Sequence, residues 1–104
     1  MKHISSFTPL EVQKIFKNAQ KKVHTLGLRI LISPTGNSYG RILVITPRRS
    51  GNAPQRNRIR RRLKAIFVTE KLYENKYDYI VLVHNQAIHT PFEKLKKLLL
   101  QAYS

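Results

Sequence analysis

The sequence predicts an α/β domain of the α+β kind, with helices packed on a small sheet in the order α-β-β-α-β-α. Three observations predict it. Apolar residues recur at helical spacing in three segments, strand-length aliphatic runs lie between them, and Gly, Pro and Asn clusters punctuate the joins. At 104 residues the chain suits one compact unit with one core, so residues 1–104 are expected to form a single domain.

The first helix starts at Thr8-Pro9-Leu10-Glu11, where Thr at the N-cap, Pro at the first helical position and Glu two residues later make a capping box. Val12, Ile15, Phe16, Ala19 and Val23 continue on one face, Phe7 can staple onto Val12, and Lys14, Lys17, Lys21 and Lys22 fall opposite. Gly27 marks a change of period. Leu28 to Ser33 then reads as a strand, Pro34-Thr35-Gly36-Asn37-Ser38 as a turn and Arg41 to Thr46 as a second strand, so the two are expected to pair as a hairpin.

A polar loop, Arg48-Arg49-Ser50-Gly51-Asn52-Ala53-Pro54-Gln55, leads into the most basic stretch of the chain. Asn52 with Gln55 is one N-cap signal, and Pro54 after a cap at Ala53 is another. From Arg56 to about Leu72, Ile59, Leu63, Ile66 and Phe67 trace one apolar stripe of an amphipathic helix. Tyr77 to Val83 is almost continuously apolar, as suits a central strand buried on both faces. The last helix repeats the first start signal at Thr90-Pro91-Phe92-Glu93, and buries Leu95, Leu98, Leu99, Ala102 and Tyr103 against Lys94, Lys96 and Lys97.

Charge decides the class of partner. The 20 Lys and Arg against 5 Asp and Glu leave a formal charge of +15, well beyond the magnitude of about 2–8 that solubility asks of a small domain. Self-repulsion of that size points to a polyanion, with nucleic acid favoured over an anionic membrane. No apolar run approaches the ~20 residues of a bilayer span, and Met1 to Ser6 lacks the apolar region of a signal peptide. The absence of cysteine excludes disulfides, thiolate zinc sites and a Cys nucleophile. A cytoplasmic protein is expected.

On a helical wheel the stripe of Ile59, Leu63 and Phe67 points inward. Asn57, Arg61 and Lys64 then point outward, with Arg58 and Arg60 on the flanks and Arg56 nearer the apolar side. Guanidinium forks bind phosphate in a bidentate manner, and Asn can donate to and accept from a base edge or 2′-hydroxyl. A solvated basic face held by local carboxylates is the ordinary explanation of such a run. It fails on numbers, because only Glu70 and Glu74 lie near this helix.

Protein-borne phosphodiester hydrolysis needs clustered carboxylates for metals or a His/Lys acid–base pair. The acids are Glu11, Glu70, Glu74, Asp78 and Glu93; only Glu70 and Glu74, at i and i+4, share a helix face, and an ordinary solvated or Lys71-paired role explains them. His3, His24, His84 and His89 have no ligand spacing. No catalytic residue and no metal ligand is expected in the chain. A structural RNA-binding protein and a self-contained metal nuclease are the competing readings.

Gly51-Asn52-Ala53, then Arg56-Asn57-Arg58-Ile59-Arg60-Arg61-Arg62-Leu63 and Phe67, after the basic pair Arg48-Arg49, resembles the RNR motif of the bacterial ribonuclease P protein subunit. The resemblance extends to the N-terminal helix, the paired strands, the Asp78-Tyr79-Ile80-Val81 strand and the C-terminal helix. It implies a two-layer sandwich with a small mixed sheet, room for an additional strand before the basic helix, and a left-handed β-α-β crossover around that helix. It implies further that the protein binds the catalytic RNA and the 5′ leader of precursor tRNA, and so assists endonucleolytic removal of the leader. Catalysis and its Mg²⁺ are expected in the RNA, with no organic cofactor, membrane or obligate protein partner. Contact with the catalytic RNA carries over to Arg56, Asn57, Arg58, Arg61 and Lys64, and the charge run adds Arg48, Arg49 and Arg60. A leader cleft carries over to Phe16, an aromatic position, and to Val12 and Ile30, where many members have aromatics and base stacking is therefore weaker here. Pro54-Gln55 also departs from the usual apolar pair before the motif.

Overall fold

The computed structural model describes residues 6–103; Met1 to Ser5, with His3, and Ser104 lie outside them. Helix α1 (Pro9–Asn18) begins as its capping box predicts. The Glu11 N–H donates to Thr8 Oγ1 at 3.2 Å and the Thr8 N–H donates to Glu11 Oε1 at 2.9 Å, so two amides at the helix start are satisfied reciprocally. The helix ends earlier than the apolar spacing suggests, at a non-helical Ala19. Lys21, Lys22 and Val23 belong instead to a strand, β1 (Lys21–Thr25), which alternates between half-buried and exposed residues.

Strand β1 returns into β2 (Leu28–Pro34) through a two-residue turn, with Thr25 opposite Leu28. Both turn residues have positive φ, Leu26 at 45° and Gly27 at 83°, the geometry that matches the twist of a hairpin. A Cβ on Gly27 would stand 2.7 Å from the Ala87 backbone nitrogen, so this position needs glycine for space as well as for φ. Strand β3 (Ile42–Ile45) follows, then a 3₁₀ turn (Arg48–Ser50), helix α2 (Ala53–Thr69), a second 3₁₀ turn (Leu72–Asn75) and strand β4 (Tyr77–Val83). A third 3₁₀ turn (Asn85–Ala87) leads to helix α3 (Phe92–Tyr103).

The sheet order is β1-β2-β4-β3. The expected hairpin of β2 with β3 therefore does not form. Strand β2 pairs antiparallel with β1 and β4, while β3 pairs parallel with β4 across the α2 crossover. A hairpin to β1 already occupies one edge of β2, and the more apolar β4 takes the other; β4 is central, as its continuous apolarity predicts. The fold is thus a mixed α+β arrangement with a four-stranded sheet.

The main core lies between one face of the sheet and α2 with α3. Leu28, Ile30 and Ile32 of β2 meet Ile59, Leu63, Ile66 and Phe67 there, and Phe67 stacks edge-on against Tyr79 at 5.4 Å. On the opposite face a smaller cluster forms where Ile15 of α1 covers Leu31 and Ile80. Helix α3 starts one residue later than its sequence signal: the Leu95 N–H donates to Pro91 O at 3.0 Å, and Glu93 lies 4.0 Å from Lys96 instead of closing a box on Thr90.

Candidate RNA interface

Helix α2 presents the densest positive surface, and local chemistry explains how it is held. Of the two possible starts, Asn52 is the cap: Gln55 N–H donates to Asn52 Oδ1 and Asn52 N–H donates to Gln55 Oε1, both at 2.9 Å. Pro54 in the first turn supplies a pre-set φ. The preceding turn is latched to the sheet by the buried Ser50, whose hydroxyl donates to Val83 O at 2.7 Å. Arg48 and Arg49 stand exposed beside it.

Burial along α2 follows the predicted wheel except at Lys64, expected to point outward but half-buried. Ile59, Leu63, Ile66 and Phe67 are inside, Asn57, Arg58 and Arg61 are exposed, and Arg56, Arg60, Arg62 and Lys64 are half-buried. Arg60 is more constrained than a flanking cation should be. Its guanidinium donates to Asn57 Oδ1 at 3.0 Å and to the Thr46 hydroxyl at the end of β3. Asn57 consequently has part of its acceptor capacity engaged, and its NH₂ group remains the outward donor. Arg56 keeps a buried Nε with no protein partner, an unsatisfied donor.

A second candidate surface lies on the α1 face of the sheet. Phe16 and Val12 of α1 flank a half-exposed apolar floor of Leu43, Ile45 and Leu82. Ile30 is not part of it. That side chain is fully buried on the α2–α3 face, which corrects the expectation that it lines the leader cleft. Its neighbours Arg29 and Leu31 face α1 instead, because successive strand residues point to opposite faces and a shift of one exchanges core for cleft. Leu31 is buried under Ile15, whereas Arg29 is exposed. Sequence reasoning missed Arg29, Leu43, Ile45 and Leu82; the polar break in Leu28-Arg29-Ile30 was a signal for Arg29 alone.

Helix α1 is fastened over the sheet by Arg41, which is buried beside β4. Its Nε and Nη2 donate to Asp78 at 3.2 and 2.8 Å, Nη2 donates to Glu11 Oε2 at 2.8 Å, and Nη1 donates to Ser6 O at 2.7 Å. The guanidinium also sits 4.2 Å from the centroid of the Phe7 ring. Burial works against its charge, but the two carboxylates outweigh that and hold it protonated. The Arg41 hydrogen bond, with help from the Thr8 amide, lowers the Glu11 pKa from 4.5 to about 2.

The same clasp bears on metal chemistry. Glu11 and Asp78 are taken by Arg41, and Glu70 and Glu93 lie 3.8 and 4.0 Å from Lys96. Glu70 and Glu74 do not share a helix face, because α2 ends at Thr69 and a left-handed Lys71 intervenes. Glu70 meets Lys96 rather than the expected Lys71. Among the described residues no three His, Cys, Asp or Glu side chains cluster as metal ligands, and no helix is long and apolar enough to cross a membrane.

Comparison with known proteins places the chain in a family and matches its fold. A family model described as Ribonuclease P matches residues 8–104. The ribonuclease P protein component of Bacillus pumilus (strain SAFR-032) is 33% identical over 91 residues, covering 86% of this chain and 76% of its own length. That of Borrelia turicatae (strain 91E135) is 29% identical over 100 residues, covering 94% and 87%. Among solved structures, the Staphylococcus aureus RNase P protein superposes with a TM-score of 0.83 at 19% identity, over 98% of this chain and 94% of that one. The Thermotoga maritima RNase P protein gives 0.74 at 22% identity, over 88% and 86%; these two establish the fold alone. With a motif-bearing basic helix, a matching family model over nearly the whole chain and a curated relative one-third identical, the chain belongs to the ribonuclease P protein family, as a protein subunit of the tRNA-processing endoribonuclease.

Proposed function

We propose that the protein binds the catalytic RNA of ribonuclease P through the outward face of α2 and holds the single-stranded 5′ leader of precursor tRNA in the cleft between α1 and the sheet. The observation that carries this reading is the separation of two surfaces. Asn57, Arg58 and Arg61 are exposed on a helix whose other side is sealed in the main core, while Phe16, Leu43, Ile45 and Leu82 form a half-exposed apolar patch on the opposite face of the sheet. One suits a folded RNA read through phosphates, the other a strand whose bases lie against apolar and aromatic groups.

Hydrolysis in this reading uses Mg²⁺ held by the RNA. Four of the five carboxylates are engaged with Arg41 or Lys96, so the donor set of this chain does not fit a two-metal site. The protein contributes affinity for the substrate and neutralises phosphate charge, which lowers the Mg²⁺ concentration the RNA needs. Adding the protein to the catalytic RNA at low Mg²⁺ should increase correct leader removal. No increase would overturn the proposal, and correct cleavage by the protein alone would overturn the division of labour.

A further inference from the structure

The α1 face of the sheet does not end at the apolar cleft. Strand register puts His24 opposite Arg29, Arg29 opposite Leu82, and Leu82 opposite Ile45, so one row of side chains crosses all four strands. Three interstrand gaps make that row ~14 Å long. Its β3 end is the apolar floor already described, and its β1 end is cationic.

At that end Lys22, His24, Arg29 and His84 line a groove of about 390 Å³. The two imidazoles face each other with ring centroids 5.8 Å apart. The His84 backbone N–H donates to Gly27 O at 2.8 Å, so the tight β1–β2 turn fixes the main chain that carries this side chain. His84 also borders a second groove, of about 160 Å³, with Arg49 and Asn85. The two grooves therefore join the edge of β1 to the Arg48–Arg49 turn through one shared residue. Among the described residues none of Lys22, His24, Arg29 and His84 forms an ion pair.

The chemistry of the set selects its ligand. The charges of a lysine and an arginine, with no carboxylate beside them, disfavour a metal cation, and the set suits a phosphodiester: each imidazole offers an N–H even when neutral, and the guanidinium offers a fork. No Phe, Tyr or Trp ring lines the groove. We propose that this groove is a phosphate-binding subsite that carries the backbone of single-stranded RNA out of the leader cleft and over the edge of β1. It would extend the contact to leader nucleotides farther from the scissile bond. The inference rests on the leader-cleft reading and adds a direction and a second set of residues to it.

The test uses the reconstituted holoenzyme with mature tRNA and with precursor tRNAs carrying a short or a long leader. The variants are Lys22→Ala/His24→Ala, both exposed on β1, and His24→Lys. In the parent protein the long leader should bind more tightly than the short one. The double variant should lose that gain, on the order of ten-fold, and its salt slope on the long leader should fall by ~0.7 per lost phosphate contact. Binding of the short leader should stay unchanged, and His24→Lys should retain the gain. If the double variant keeps the full gain, the subsite is overturned while the cleft reading stands. An equal loss with mature tRNA overturns it as well, since the groove would then face another part of the complex. If the parent protein does not prefer precursor over mature tRNA, the cleft reading fails first and the inference with it.

Discussion

Asp78→Ala tests whether Arg41 is a buried ion-pair clasp. Asp78 and Arg41 side chains are only 4% and 8% exposed, whereas Glu11 is 37% exposed. Removing Asp78 takes away the acceptor of the Arg41 backbone N–H, Nε and an Nη2 bond, leaving a buried guanidinium with one half-exposed carboxylate and one carbonyl. Breaking a buried pair from one side costs about 3–5 kcal/mol, a large part of the ~5–15 kcal/mol that holds a domain together. At a urea slope of roughly 1–1.5 kcal/mol/M, a loss of 3 kcal/mol lowers the unfolding midpoint by ~2–3 M. Glu11→Gln removes a partner that water can replace, so it should cost only about 0.5–1 kcal/mol.

The same pair of variants separates by pH. The folded-state pKa of Glu11 lies below its ordinary value, so its contribution is complete above about 4.5 and is lost as pH falls toward about 2. The stability difference between the parent protein and Glu11→Gln should therefore shrink across that window. Urea unfolding followed by circular dichroism at pH 7 and at pH 3 measures both effects. A cost below about 1 kcal/mol for Asp78→Ala, or equal costs for the two variants at pH 7, would refute the burial argument. Because opposed charges in a dry site are costly as a pair, Arg41→Met with Asp78→Leu should recover much of the loss.

Arg61→Ala, an exposed change on α2, should weaken association with the catalytic RNA without altering thermal stability, and reduce the salt slope by ~0.7–0.9 per lost phosphate contact. Arg60→Ala should do both, since it also releases Thr46 and Asn57; salt titrations and melting curves of the two variants separate the roles. Phe16→Ala should lower affinity for precursor more than for mature tRNA, by about 1–3 kcal/mol if a base stacks on the ring. Ile30→Ala should instead lose about 2–5 kcal/mol of stability through a core cavity, with the precursor preference intact. Equal losses for precursor and mature tRNA in Phe16→Ala would remove that ring from the cleft.

What was legible beforehand was local. Thr8 with Glu11 and Asn52 with Gln55 satisfy helix-start amides within four residues, so spacing places the start of α1 and narrows that of α2 to two candidates, Asn52 and Ala53. The stripe of Ile59, Leu63 and Phe67 sets the inward side of α2 and, by exclusion, the outward Asn57 and Arg61. Strand β1 was less legible, because Lys21-Lys22-Val23 continues a helical spacing as easily as it alternates. Only the hairpin with β2 resolves that ambiguity.

The sequence by itself determined the helices, the central apolar strand and the cationic ridge, since each depends on residues a few positions apart. Tertiary structure decided the rest. Strand neighbours depend on hydrogen bonds between distant segments, which is why β2 lies beside β4 and not β3, and why the inward residue is Ile30 while Arg29 and Leu31 face α1. It also brought Asp78 and Glu11 to a buried Arg41, 37 and 30 residues away. Spacing along the chain carries no record of such meetings, because burial of a charge is settled only when the surfaces that exclude water have closed around it.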